Sequence, residues 1–81
     1  MELGYNPRLK ARILEVVDNQ INDNDPPITR KTMERLKAAG YTEKKAKEMI
    51  AAVVVSYIYE IMKDGKDFDV SSYTRDLKRL N

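Results

Sequence analysis

The chain has 81 residues, with Lys+Arg 15 against Asp+Glu 13 for a net charge of +2, too small a surplus to argue by itself for nucleic acid or an anionic membrane. A chain near this size buries roughly 60% of its surface on folding, so one domain with a small core is expected over residues 1–81. It contains no Cys and no His, which excludes disulfides, thiol nucleophiles and thiolate metal sites and takes away the usual general base near neutral pH, so neither an enzyme nor a cofactor or metal is expected.

The opening Met1-Glu2-Leu3-Gly4-Tyr5 lacks the basic patch and apolar run of a signal peptide, and a cytoplasmic location is expected. Asn6-Pro7 reads as a helix start, an N-cap followed by a proline whose missing N–H is no loss in the first turn. A helix from about Pro7 to Ile21 follows, with Leu9, Ile13, Val16, Val17 and Ile21 on one stripe. The run Asn22-Asp23-Asn24-Asp25 breaks it. Asp25 before Pro26-Pro27 predicts the N-cap of a second helix ending near Ala39, with Met33 and Leu36 inward. Gly40 supplies the stop, and Tyr41 packs back on Leu36 as in a Schellman ending.

Thr42 caps a third helix that runs to about Asp64, where Gly65 is the next stop. Val53-Val54-Val55-Ser56-Tyr57-Ile58-Tyr59 has the residue types of a strand. Length decides for a helix, because the apolar tract from Met49 to Met62 exceeds an ordinary strand and Ala46, Ile50, Val53, Tyr57 and Ile61 keep helical spacing. The same tract, interrupted by Ser56 and Glu60, is shorter than the roughly 20 residues of a membrane span, so no membrane is expected as a partner. Phe68-Asp69 predicts a fourth helix, about Val70 to Leu80, with Asp69 as N-cap, Phe68 and Tyr73 as a hydrophobic staple, and Val70, Tyr73, Leu77 and Leu80 inward. The expected fold is all-α, a compact bundle of four helices with a long central third helix and a core of Leu9, Ile13, Val16, Val17, Met33, Leu36, Ile50, Val53, Val54, Tyr57, Ile61, Tyr73 and Leu77.

Charge is concentrated in the middle of the chain, where residues 28–48 hold seven basic and three acidic side chains. Arg30, Lys31, Arg35, Lys37, Lys44, Lys45 and Lys47 are the candidate nucleic-acid contacts, arranged as a helix–turn–helix would need. The segment Glu43-Lys44-Lys45-Ala46-Lys47-Glu48 carries no Asn, Gln or Arg to read bases, which favours a solvated face. Counting an EF-hand loop from Asp23 puts Pro27 and Ile28 where a donor and a glycine are required, so a turn explains the acids better than calcium. Glu60 is read as lying near the inward side of the third helix, paired with Arg75, Lys78 or a Tyr hydroxyl at the rim. Tyr5 and Tyr59 are either contact residues or the polar-tipped edge of a small core.

Leu36-x-x-x-Gly40-Tyr41-Thr42 followed by Ala46 is similar to the first loop of ubiquitin-associated domains, where a glycine and an aromatic contribute to an apolar binding surface; a glycine stop with its hydrophobic contact accounts for the same residues. Val17-Asp18-Asn19-Gln20-Ile21, Asp25-Pro26-Pro27, Arg35-Leu36 and Gly40-Tyr41 together resemble a family of small bacterial helical proteins of unknown function, over residues 6 to about 50. The resemblance implies an α fold and a bacterial origin. The family's members carry histidines that look like metal ligands; the matching stretches here, Leu9-Lys10-Ala11-Arg12-Ile13-Leu14 and Lys44-Lys45-Ala46-Lys47-Glu48, have none, so no metal site carries over. The leading functional expectation is a non-catalytic protein-interaction or regulatory module, with a second copy of the chain among its candidate partners, through the apolar girth of the third helix at Val55, Tyr59 and Met62; nucleic-acid binding through the basic segment is the alternative.

Overall fold

Helix ends in this chain are set by side chains and glycines that satisfy the backbone groups a helix leaves open. The computed structural model describes residues 7–65 and 67–80; Asn6, expected to cap the first helix, and Tyr5 lie outside them. Four helices follow in order: α1 Pro7–Asp23, α2 Pro27–Ala38, α3 Glu43–Asp64 and α4 Val70–Lys78. There is no strand among the described residues.

α1 outruns its expected end by two residues because Asn24, not the acidic run as a whole, is its stop. Asn24 holds a left-handed φ of 52°. Its N–H donates to the Ile21 carbonyl at 3.2 Å and that of Asp25 to the Gln20 carbonyl at 3.0 Å, the two closing bonds of a Schellman ending. Asp25 is not the cap of α2. Pro27 takes the first helical position and leaves Pro26 as N-cap, with no side-chain capping bond.

The next two stops are as expected. Gly40, at φ 106°, donates to the Lys37 carbonyl at 3.0 Å, and Tyr41 donates to that of Leu36 at 3.1 Å. Thr42 Oγ1 accepts from the Lys45 N–H at 3.1 Å to open α3, and Gly65, at φ 67°, closes it by donating to the Ile61 carbonyl at 2.9 Å. Asp69 caps α4 by accepting from the N–H groups of Ser71 at 3.0 Å and Ser72 at 3.3 Å. Serine hydroxyl and backbone donors hold its carboxyl below the usual carboxylate range, the Ser72 hydroxyl foremost. The staple is present too, with the Phe68 and Tyr73 ring centroids 5.1 Å apart.

α4 stops at Lys78, short of Leu80, in a tighter turn in which the Leu80 N–H donates to the Leu77 carbonyl at 3.1 Å. Arg35 of α2 donates to the Leu80 carbonyl at 2.7 Å and to the Leu77 carbonyl at 2.9 Å, a cation placed at the negative end of a helix.

α3 is the longest helix and packs against all three others, while α1 and α4 do not come into backbone contact with one another. The buried core is Ile13, Val17, Met33, Leu36, Ala46, Ile50, Ala51, Val54, Val55, Tyr73 and Leu77. Leu9, Val53 and Tyr57 pack on it from partly buried positions. Val16, Ile61 and Val70, expected inside, are exposed; the first two stand over the gap that α1 and α4 leave, and Val70 sits in the first turn of α4. Ala46 and Ala51 are buried without belonging to the expected core, since small side chains let neighbouring helices approach α3. Glu60 is exposed rather than inward, because α3 has passed beyond the cover of the bundle by that point.

Candidate functional site

Where the backbones of α1 and α4 stay apart, α3 is left open along part of its length. The result is an apolar groove of about 220 Å³, with Val16 and Gln20 of α1 on one side, Val54, Tyr57, Ile58 and Ile61 of α3 as its floor, and Phe68 at its end. Val16, Ile61 and Phe68 keep 37%, 36% and 39% of their surface exposed. Such a volume is below the several hundred Å³ of most small-molecule sites. It has room for one or two aliphatic side chains.

Phe68 is a fixed wall. Its ring meets Tyr57 edge-on at 5.7 Å, and Tyr57 meets Tyr73 edge-on at 5.5 Å, the arrangement that aromatic quadrupoles favour. The Tyr57 hydroxyl donates to Asp76 Oδ2 at 2.5 Å; burial first, then this carboxylate, pushes the phenol's ionisation well above the ordinary tyrosine range. Behind the wall, the Tyr73 hydroxyl donates to Gln20 Oε1 at 3.0 Å and Thr29 Oγ1 donates to the same oxygen at 2.8 Å. Burial likewise raises the Tyr73 pKa, with the Thr29 hydroxyl acting against it. Three helices are thus tied at one buried point. Thr32 Oγ1, by contrast, is buried without a hydrogen-bond partner.

Beside the groove lies a polar cleft of about 310 Å³, and Tyr57 and Ile61 line both. Glu60, Asp67, Asp69 and Asp76 face it, with Arg75, Ser56 and Ser72. Asp69 is occupied with its cap and Asp76 with Tyr57 and, at 3.9 Å, Arg75. Glu60 and Asp67 make no hydrogen bond or ion pair among the described residues.

The basic segment does not form one unoccupied patch. Arg30 donates to the Ile21 carbonyl at 2.9 Å and Arg35 holds the end of α4. Lys37 pairs with Glu43 at 3.4 Å, while Lys47 pairs with Asp18 at 2.7 Å and Glu43 at 3.4 Å. These pairs hold the Glu43 carboxyl below its usual range, chiefly through its hydrogen bonds to Lys47 and Lys37, and raise the Lys47 pKa, chiefly through Asp18. With Lys10–Glu48 at 3.2 Å, they bind α1 across the start of α3, the surface a recognition helix would present. Lys31, Lys44 and Lys45 are exposed and make no ion pair among the described residues.

Of the expected interaction residues, Val55 is corrected: at 2% exposure it belongs to the core, because it lies on the face of α3 that the other helices cover. Tyr59 and Met62 are exposed, Met62 at 77%. Val16, Gln20, Ile61 and Phe68 were missed as a surface; spacing alone placed the two aliphatics inside. No group of three or more acidic side chains able to hold a metal ion occurs among the described residues, and none of the described helices is long and apolar enough to cross a membrane. Neither a protein-family model, nor a curated protein, nor a solved structure matches the chain.

Proposed function

We propose that the protein is a non-catalytic, cytoplasmic interaction module that docks an α-helix of another protein in the groove between α1 and α3. The observation that carries this reading is an apolar groove with a rigid aromatic end, too small for a cofactor and matched in size to the anchor side chains of a helix. A partner must satisfy its own backbone polar groups over an apolar floor. An all-helical module offers no strand edge for an extended peptide to pair with, whereas a helix arrives with its backbone bonds already made and inserts residues at i, i+3 or i+4, and i+7. The chemistry of the neighbouring cleft points the same way, because a protonated Tyr57 with a raised pKa, bonded to a carboxylate, is both a poor base and a poor acid near neutral pH.

Nucleic-acid binding is the weaker reading, since Arg30, Arg35, Lys37 and Lys47 are engaged within the fold. Selection from a displayed library of randomised helical peptides tests the docking reading, with Ile61→Asp as the counter-screen. Helical binders lost on that substitution are expected; binders that all survive it, or the recovery of no helical binder, would overturn the proposal.

A further inference from the structure

The groove and the cleft share a wall, and their chemistries differ in a way that constrains what lies across them. A helix seated over Ile58, Ile61 and Phe68 passes beside the carboxylates of Glu60 and Asp67, neither of which makes a hydrogen bond or ion pair among the described residues. Asp64 and Asp23 add to the same field: one ends α3 beside the groove, and the other lies one turn beyond Gln20 on the groove side of α1. α3 also directs its negative dipole end to this region, whereas that of α1 is met by Arg30, which donates to the Ile21 carbonyl. Lys63 in the last turn of α3 and Arg75 in the cleft oppose this field only in part.

We infer that the occupant of the groove is a basic amphipathic helix of a partner protein, with apolar anchors over Ile61 and Phe68 and a Lys or Arg one turn away reaching the Glu60–Asp67 side of the cleft. This rests on the helix-docking reading above and adds the partner's charge. A second copy of the chain fits poorly, because a two-fold contact groove to groove would set these carboxylates against their own equivalents. Lys31, Lys44 and Lys45, the cations of the basic segment that make no ion pair among the described residues, belong to α2 and the first turn of α3, and none of them lines the groove.

Two amphipathic peptides of about 18 residues, long enough to hold a helix in water, test this when they share the same Leu anchors and differ only in Lys or Glu on the flanks. Fluorescence anisotropy against the full chain should favour the Lys peptide by about tenfold or more at about 0.05 M salt, a preference that shrinks at about 0.5 M as screening shortens. The double substitution Glu60→Lys with Asp67→Lys, both at exposed positions, should invert it. Equal affinity of the two peptides, with both lost on Ile61→Asp, would overturn the basic partner and leave helix docking standing. Binding of neither peptide, or binding untouched by Ile61→Asp, would overturn both. Sedimentation of the protein alone as a dimer that Ile61→Asp dissolves would assign the groove to a second copy instead.

Discussion

Val55 and Met62 lie seven residues apart on one face of the same helix, yet one is 2% exposed and the other 77%. Both are apolar, and sequence alone reads both as parts of one interaction surface on the apolar girth of α3. The difference comes from their neighbours. Up to Val55, one face of α3 (Ala46, Ile50, Ala51, Val54 and Val55) is buried under the other helices, and the Gln20–Thr29–Tyr73 bonds hold those three helices together. Beyond Ser56 the cover thins, and the apolar side chains of the last two turns are shared between a shallow groove and solvent. Apolar content records where a helix can be buried; the arrangement of its neighbours decides where it is.

Paired substitutions break this comparison most sharply. Val55→Asp puts an uncompensated charge in the core and should remove roughly 4 kcal/mol or more, comparable with much of the stability of a domain this size. Met62→Asp should stay within about 0.5 kcal/mol, as exposed substitutions do. Urea denaturation of both variants checks this, and similar losses would mean that α3 has no open half. Within the closed half, Tyr73→Phe leaves Gln20 with Thr29 alone and should cost about 1–2 kcal/mol. Thr32→Val removes a buried hydroxyl that has no partner and should raise stability by about 1 kcal/mol. The smallest effect is alkaline. Below pH about 10 both Tyr57 and Tyr73 carry their protons whether the chain is folded or not; above it the unfolded chain ionises while the folded one resists. Their contribution is therefore present at neutral pH and is lost as pH rises through the raised folded values, and Tyr57→Phe should flatten that loss in thermal melts above pH about 10.

The helices were legible in the sequence because their ends are local events. Thr42, Gly40, Gly65 and Asp69 act on backbone groups within a few residues, and each does what its residue type requires. Asn24 and Pro26 were misjudged for the same local reason: a left-handed Asn is a less common stop than Gly, and two prolines in succession leave open which one begins the helix. The site was not legible. Val16 and Ile61 carry the right spacing for a core, and their exposure depends on the backbones of α1 and α4 staying apart, a long-range fact that periodicity does not encode. The basic segment was legible as a cluster but not as a network, since the carbonyls of Leu77 and Leu80 and the carboxylate of Asp18 that engage it lie far away in sequence, and that of Ile21 lies across a helix break.

Methyl and amide NMR of the isotope-labelled protein, titrated with the Lys-flanked peptide, tests the central claim most directly, because it reads the footprint residue by residue. Shifts are expected at Val16, Gln20, Ile58, Ile61 and Phe68, with Val55 and Ile50 unmoved. A footprint on α2 and the start of α3, centred on Lys31, Lys44 and Lys45, would contradict it.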